Sequence, residues 1–169
     1  MEPTLTAAGW LIGRHRSDPD AEAIYESAML TASQPGTTVD FAAVARMLHG
    51  AAMRGHAEAQ MHLGTCYASG LGVERDQAEA ARWFRKAADA GLPRAQYWLS
   101  RCFFTGTGVE QDYAQAYLWA LRAKAQGFGD PGEIARAAAL YLAPQVTAGI
   151  AAAVAAIPPG DQSSGAHVA

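Results

Sequence analysis

The sequence predicts an all-α protein, an α-solenoid of antiparallel helix pairs, on the basis of two observations. The segment from Ala59 to Gly91 recurs after a shift of 36 residues, as the segment from Ala95 to Gly127. Within each copy, apolar residues recur at steps of three and four, which places them on one face of a helix. A period between about 20 and 50 residues is typical of solenoids, whose units bury their apolar faces by stacking on one another.

A diverged copy precedes these two segments. When the same shift is applied towards the N-terminus, Gly36 and Asp40 align with Gly72 and Asp76. Terminal units of a solenoid are expected to be atypical, because one of their faces meets solvent instead of another unit. We therefore expect about three helix–loop–helix repeats, at 21–56, 57–92 and 93–129.

The two ends of the chain are expected to cap this stack. We predict a capping helix within 1–20, two alanine-rich capping helices within 130–157, and a disordered tail rich in Pro, Gly and Ser at 158–169. Residues 137–157 carry no charge over 21 positions, so a membrane tail anchor is the alternative there. A proline at the first turn of a helix is common, so Pro144 favours two short capping helices.

Each complete unit contains signals that end its first helix and begin its second. Gly70 and Gly72 should end the first helix, because glycine tolerates the left-handed conformations that close a helix. Asp76 can accept the free amides of the second helix, and Glu79 three residues later resembles a capping box. Gly64 lies inside the first helix, where a small residue lets a neighbouring helix approach closely.

These residues resemble a known family. The strings AEAQMHLGTCYASGLGVERDQAEAARWFRKAADAG and RAQYWLSRCFFTGTGVEQDYAQAYLWALRAKAQG are similar to Sel-one-like repeats (SLR), relatives of the tetratricopeptide repeats. The shared pattern combines A-x-x-x-L-G, G-x-G-V, the Asp three residues after the valine, the Trp, and the closing Ala and Gly. Two departures are Ser100, where the family prefers glycine, and the missing G-x-G-V string of the first unit.

The resemblance implies a right-handed superhelix that serves as an adaptor between macromolecules. Members of the family act in signalling, envelope-associated complexes and protein quality control. In such solenoids the first helix of each unit lines the concave groove. The positions left free by the core are His62, Thr65 and Ser69 in the second unit, Trp98, Arg101 and Thr105 in the third, and Glu26, Met29 and Ser33 in the first.

Trp98 and Arg101 are the most distinctive of these groove positions. Trp and Arg are over-represented among binding hot spots, and these two lie one helical turn apart. The alternative is that Trp98 packs between units and Arg101 pairs with a nearby acid. In contrast, the aromatic residues of the second helices are expected in the core: Trp83, Phe84, Tyr117 and Trp119.

Net charge, cysteine spacing and the first residues of the chain bear on its ligands, on a possible disulfide and on its location. A net charge of -3 argues against nucleic acid as a ligand, and we expect no membrane partner. Cys66 and Cys102 are one repeat apart, so their Cα atoms should be about 8 to 10 Å apart, too far for a disulfide, which needs about 7 Å or less. The first residues contain no signal-peptide pattern, which predicts a cytoplasmic location.

Motifs for catalysis are missing from the sequence. His49, His56 and His62 are not accompanied by H-E-x-x-H or C-x-x-C, and we interpret them as ordinary surface or turn residues. The G-x-G-V loops lack the P-loop pattern, and S-x-x-K is absent. We therefore expect neither enzyme activity nor a cofactor. The predicted function is a scaffold that binds a protein or peptide, and the alternative is a structural subunit of a homo-oligomeric or envelope-associated complex assembled through the end helices.

Overall fold

The computed structural model describes residues 18–33, 39–128 and 132–157, which form eight helices and no strand. The helices are α1 (Pro19–Ala32), α2 (Phe41–Met53), α3 (Ala57–Ser69), α4 (Gln77–Asp89), α5 (Pro93–Thr105), α6 (Tyr113–Ala125), α7 (Gly132–Ala139) and α8 (Pro144–Ala155). The predicted tail at 158–169, and the predicted N-terminal capping helix apart from residues 18–20, lie outside the described residues.

The helices stack in chain order. Helices α1 and α2, α3 and α4, and α5 and α6 form antiparallel pairs, and each pair packs on the next through α2 with α3 and α4 with α5. The prediction of an all-α repeat solenoid is therefore confirmed.

The loop between the helices of a unit is closed by hydrogen bonds at both ends. Gly70 ends α3 in the left-handed conformation, at φ 73°, and its N–H donates to the carbonyl of Cys66. A carboxylate oxygen of Asp76 accepts the amides of Ala78 and Glu79 at 2.8 and 3.0 Å, which confirms the predicted N-cap.

The predicted capping box is wrong. The amide of Asp76, which Glu79 would have to accept, already donates to the carbonyl of Tyr67 at 3.0 Å. The carboxylate of Glu79 instead contacts the guanidinium of Arg82 one turn later on the surface of α4.

The second glycine of each loop lets the loop approach the backbone of the neighbouring unit. A Cβ on Gly72 would lie 1.9 Å from the carbonyl oxygen of Phe41, and one on Gly108 would lie 2.0 Å from that of Gln77. Phe41 and Gln77 begin the second helices of the preceding units. Each G-x-G loop therefore lies directly against the backbone of the unit before it.

The core lies between the helix pairs and contains the predicted aromatic residues. Trp83, Phe84 and Trp119 are buried, whereas Tyr117 is half-buried at the edge of the same cluster. A Cβ on Gly64 would lie 2.7 Å from the ring of Phe84, so the small residue inside α3 admits this side chain. Cys66 and Cys102 are buried free thiols.

The C-terminal pair has a different arrangement. Helix α7 packs on α6, and α8 also packs on α6 rather than pairing closely with α7. Pro144 occupies the first turn of α8. Leu140, Tyr141 and Val146, around the connection between α7 and α8, are exposed. Among the described residues, the structure contains no helix with the length and hydropathy needed to span a membrane.

Candidate functional site: a cleft between the second and third units

An open cleft lies between α3 and α5, and residues of α4 also line it. Its volume is about 200 Å³. The lining residues come from both units and from the loop after α5: Thr65, Ala68, Ser69, Gln77, Phe84, Trp98, Arg101, Cys102, Thr105 and Thr107. The cleft is therefore a property of the stacking of two units, and neither unit forms it alone.

Trp98 is held in place by two other aromatic side chains. Its ring stacks on Phe84 with centroids 6.0 Å apart and planes at 16°, and it meets the ring of Tyr97 edge-on at 5.9 Å. The expectation that Trp98 packs between units is thus confirmed. The side chain is nevertheless only half-buried, and its remaining surface lines the cleft.

Arg101 lies over the ring of Trp98. Its guanidinium carbon is 4.8 Å from the ring centroid, which is the geometry of a cation–π contact. Within the described parts of the chain, Arg101 forms no ion pair with an acid, so the alternative expectation of an acidic partner is wrong. Among the residues that the structure describes, no Asp or Glu lines the cleft, so no acid there compensates the charge of Arg101.

The threonine hydroxyls around Arg101 use their hydrogen atoms within the protein. Thr105 donates to the carbonyl of Arg101 at 2.9 Å, so Thr107 is the donor in the 2.7 Å contact between the two hydroxyls. Thr65 donates to the carbonyl of Met61 at 3.2 Å. What these hydroxyls still offer to a ligand is their lone pairs, which can accept hydrogen bonds.

The structure brings together five of the predicted groove residues and separates the others. The five that line the cleft are Thr65, Ser69, Trp98, Arg101 and Thr105. His62 lies in a second recess nearer the start of α3. In the first unit, Glu26 and Ser33 are exposed and Met29 packs against the N-terminal core, and none of the three lines the cleft.

The sequence prediction missed five cleft residues. Ala68 and Cys102 follow Thr65 and Trp98 by three and four positions, so helical spacing could have identified them. Phe84 was assigned to the core alone, although one side of its ring also forms the cleft floor. The other two, Gln77 and Thr107, come from a helix start and a loop and have no such signal.

The second recess, of about 340 Å³, contains the aromatic and charged residues near His62. Burial lowers the pKa of His62, the charge of Arg94 lowers it further, and Glu58 opposes the shift. The ring of Tyr25 stacks on His62 with centroids 5.9 Å apart. Burial raises the pKa of Tyr25, with Glu58 as the next contributor.

His56 is a structural residue at the junction of the first two units. It is the N-cap of α3, where its Nδ1 accepts the amide of Ala59 at 3.2 Å. Its Nε2 therefore carries the proton and donates to Glu22 of α1 at 3.0 Å. His56 is a turn residue as expected, but it is buried rather than at the surface. Among the described residues, no group of three or more His, Cys, Asp or Glu side chains could hold a metal ion.

The fold and its repeats match a known family. The model of the Sel1 repeat matches residues 57–92 and 93–128. The solved structure of a Sel1 repeat protein from Oxalobacter formigenes is 34% identical with a TM-score of 0.64, over 69% of this chain and 88% of that one. This chain belongs to the Sel1 repeat family. Sel1 repeat proteins are generally protein-interaction scaffolds.

Two further solved structures share the fold. One is c5321, a protective antigen of uropathogenic Escherichia coli with an SLR fold, which is 29% identical with a TM-score of 0.71 over 80% of this chain. The present chain spans only 30% of that antigen. The other is the Helicobacter pylori cysteine rich protein B, which is 19% identical with a TM-score of 0.57, over 69% of this chain and 92% of that one. No curated protein matches the chain.

Proposed function

We propose that this Sel1 repeat protein is an interaction scaffold that binds a segment of a protein partner in the cleft between α3 and α5. The observation that carries the proposal is the pair Trp98 and Arg101. Trp98 is half-buried and stacked on Phe84, and Arg101 lies on its ring with no acid beside it. Trp and Arg are the residue types most enriched at the centres of protein interfaces.

The rigidity of this pair supports binding. Immobilising a flexible side chain at an interface costs roughly 0.5–1.5 kcal/mol. The contacts of Trp98 with Phe84 and Tyr97 already restrict its ring in the free protein. Much of that entropic cost is therefore met during folding, which leaves more of the contact energy for the partner.

The size of the cleft favours a macromolecular partner. Sites for cofactors and drug-sized ligands are usually enclosed and of about 300–1,000 Å³. This cleft is smaller, about 200 Å³, and open. It suits one side chain of a chain that continues over the surfaces of α3 and α5.

A cross-linking experiment tests the proposal. A photoreactive benzoylphenylalanine is placed at Thr105, in the cleft, or at Arg82, an exposed residue of α4 that does not line it. A partner captured from extract of the native cells is identified by mass spectrometry, purified and tested for direct binding. We expect capture at Thr105 only, whereas equal or greater capture at Arg82 would contradict the proposal.

Variants provide the matched control. The double variant Trp98→Ala/Arg101→Ala should lose the purified partner, and Arg82→Ala should retain it. Circular dichroism shows whether the variants are equally folded. Unchanged affinity in the folded double variant would contradict binding in the cleft.

The second candidate, a structural subunit assembled through its end helices, rests on the exposed Leu140, Tyr141 and Val146. Monomeric proteins commonly expose apolar patches of modest size, so this observation is weaker. Light scattering during size-exclusion chromatography would reveal an oligomer, which Leu140→Glu should dissociate. A cytoplasmic location stays a prediction of the sequence.

A further inference from the structure

The charge of the cleft indicates what kind of segment it accepts. Some cations of the described chain have acids beside them: Arg54 pairs with Asp18 at 2.9 Å, and Arg94 shares the second recess with Glu58. Arg85 and Lys86, like Arg101, lie over aromatic rings instead. Arg101 is the single charged residue among those that line the cleft. A guanidinium stacked on a ring keeps its N–H donors at its edges, where they can form two parallel hydrogen bonds to a carboxylate.

The guanidinium of Arg101 is the one charged hydrogen-bond donor among the described residues that line the cleft. The hydroxyls of Thr105 and Thr107 are committed as donors, to the carbonyl of Arg101 and to Thr105 respectively. The amide Nε2 of Gln77 donates to the carbonyl of Ala68 at 3.0 Å. The two threonine hydroxyls therefore present lone pairs, which can accept the backbone N–H groups of a bound peptide, whereas Gln77 keeps a second amide hydrogen.

The floor of the cleft is apolar. Phe84, Trp98, Ala68 and Cys102 line it beside Arg101. Burial raises the pKa of the Cys102 thiol, so this side chain is a neutral, weakly polar surface. A space of about 200 Å³ with such a lining accepts an aliphatic side chain of the partner.

The distance between the cleft floor and Arg101 determines how far apart the aliphatic residue and the carboxylate lie in the peptide. Trp98 and Arg101 are three residues apart on α5, which is about 4.5 Å along the helix. Adjacent residues of an extended peptide are about 3.3 Å apart, and alternate residues about 6.6 Å. Successive side chains of an extended peptide point to opposite faces, so an aliphatic residue and a carboxylate two positions apart can reach the cleft floor and Arg101 together.

We propose that the cleft recognises an extended peptide segment in which an aliphatic residue lies two positions away from Asp or Glu. The aliphatic side chain occupies the floor formed by Phe84, Trp98 and Cys102, and the carboxylate pairs with Arg101. This inference rests on the proposed function, because it specifies the partner of the same cleft. A phosphorylated residue is less suited, since phosphopeptide sites use clusters of Arg, and here a single one is present.

Fluorescence anisotropy with four pools of labelled hexapeptides tests the inference. The first pool has Leu at position three and Asp or Glu at position five, with the other positions mixed Ala, Ser, Gly and Tyr. The second pool replaces the acids with Asn or Gln, the third with Lys, and the fourth replaces Leu with Ala. We expect the first pool to bind about tenfold more tightly than the second, the range of one charged hydrogen-bonded pair.

Charge reversal provides the decisive comparison. Arg101→Gln should remove the preference for acids, and Arg101→Glu should transfer it to the lysine pool. The matched control Arg82→Glu makes the same change of charge at an exposed position outside the cleft and should leave the preference unchanged. Both positions are exposed, and circular dichroism verifies folding.

The outcomes separate this inference from the proposed function. Equal binding of the acidic and amide pools, or an unchanged preference in Arg101→Glu, would overturn the inference while peptide binding itself stands. Equal binding of the leucine and alanine pools would overturn its apolar part. If no pool binds at about 1 mM peptide, the inference fails, and cross-linking at Thr105 then decides whether the proposed function fails with it.

Discussion

The third unit and the C-terminal pair occupy consecutive places in the stack but differ in how their two helices are joined. In the third unit, Gly106 ends α5, Gly108 lies against the backbone of Gln77, and Asp112 caps α6. Between α7 and α8 there is no glycine, and the N-cap Ala143 offers no side-chain hydrogen bond. Helix α6 pairs with α5, whereas α8 packs on α6 instead of on α7.

This difference shows what the G-x-G-V loop does. Two helices and a turn are present in both places, so helix formation alone does not produce the repeated pairing. The loop of a complete unit lies against the preceding unit at its second glycine. We infer that this contact positions the next helix, because α8, whose connection has no glycine, packs on α6 instead of on α7.

The largest expected effect on stability comes from comparing a core residue of the repeats with an exposed residue of the C-terminal pair. Trp83→Ala should lower the free energy of unfolding by about 3–5 kcal/mol, because Trp83 is 5% exposed and its removal leaves a cavity. Leu140→Ala should change it by less than about 0.5 kcal/mol, because Leu140 is 84% exposed. Urea denaturation followed by circular dichroism measures both. Similar losses would show that the C-terminal pair carries core contacts after all.

A second test separates the contact of the loop glycine from its backbone conformation. Gly108 and Gly127 have φ of 73° and 75°, but only the Cβ added to Gly108 would collide with Gln77. Gly127→Ala should cost about 1–2 kcal/mol, the strain of the left-handed conformation. Gly108→Ala should cost about 1–3 kcal/mol more through overpacking. Equal losses of stability for the two variants in urea denaturation would contradict a role for the contact between the loop and the preceding unit.

Substitutions at the N-caps should change stability by a smaller amount, with opposite signs in the two regions. Asp112→Ala should destabilise α6 by about 1 kcal/mol, because two amides of its first turn lose their acceptor. Ala143→Asp should stabilise α8 by a similar amount, since the backbone of Ala143 already has the extended N-cap conformation. Hydrogen exchange of the first turn of each helix reports the change. Unaltered exchange in α8 would mean that a missing cap is not what distinguishes it.

The smallest expected effect is a pH dependence confined to the repeats. Burial and Arg94 lower the pKa of His62 in the folded protein, so the unfolded state, with a pKa of about 6.5, takes up the proton first. The stability associated with neutral His62 is complete above about pH 6.5 and is lost as pH falls towards the lowered folded pKa. His62→Gln should therefore reduce the fall in Tm between pH 7 and pH 5. An NMR titration of the His62 ring checks the direction independently.

Much of the fold could be predicted because its signals are local. Gly70 as C-cap and Asp76 as N-cap depend on groups within a few residues of each other, and the burial of Trp83 follows from helical spacing. The prediction of a capping box was wrong because a residue outside that local range forms the competing hydrogen bond. The amide of Asp76 was taken by Tyr67, nine residues earlier in the chain.

The candidate site was predictable in part. Spacing along α3 and α5 identified residues that share the cleft, such as Thr65 and Trp98. It could not distinguish them from Met29, which has the same position in the first unit but packs into the core. Helical spacing also could not show that Arg101 lies over Trp98 with no acid beside it. That arrangement depends on which side chains of α4 and of the loop after α5 pack next to Arg101.

The sequence by itself determined the period of 36 residues, the helix pairs, the caps and the apolar faces, since all of these follow from interactions within one helix or one turn. Only the tertiary structure decided the contact of Gly108 with Gln77, the two-sided role of Phe84, and the packing of α8 on α6. These features join segments tens of residues apart. Their geometry depends on the positions of whole helices, which local periodicity does not specify.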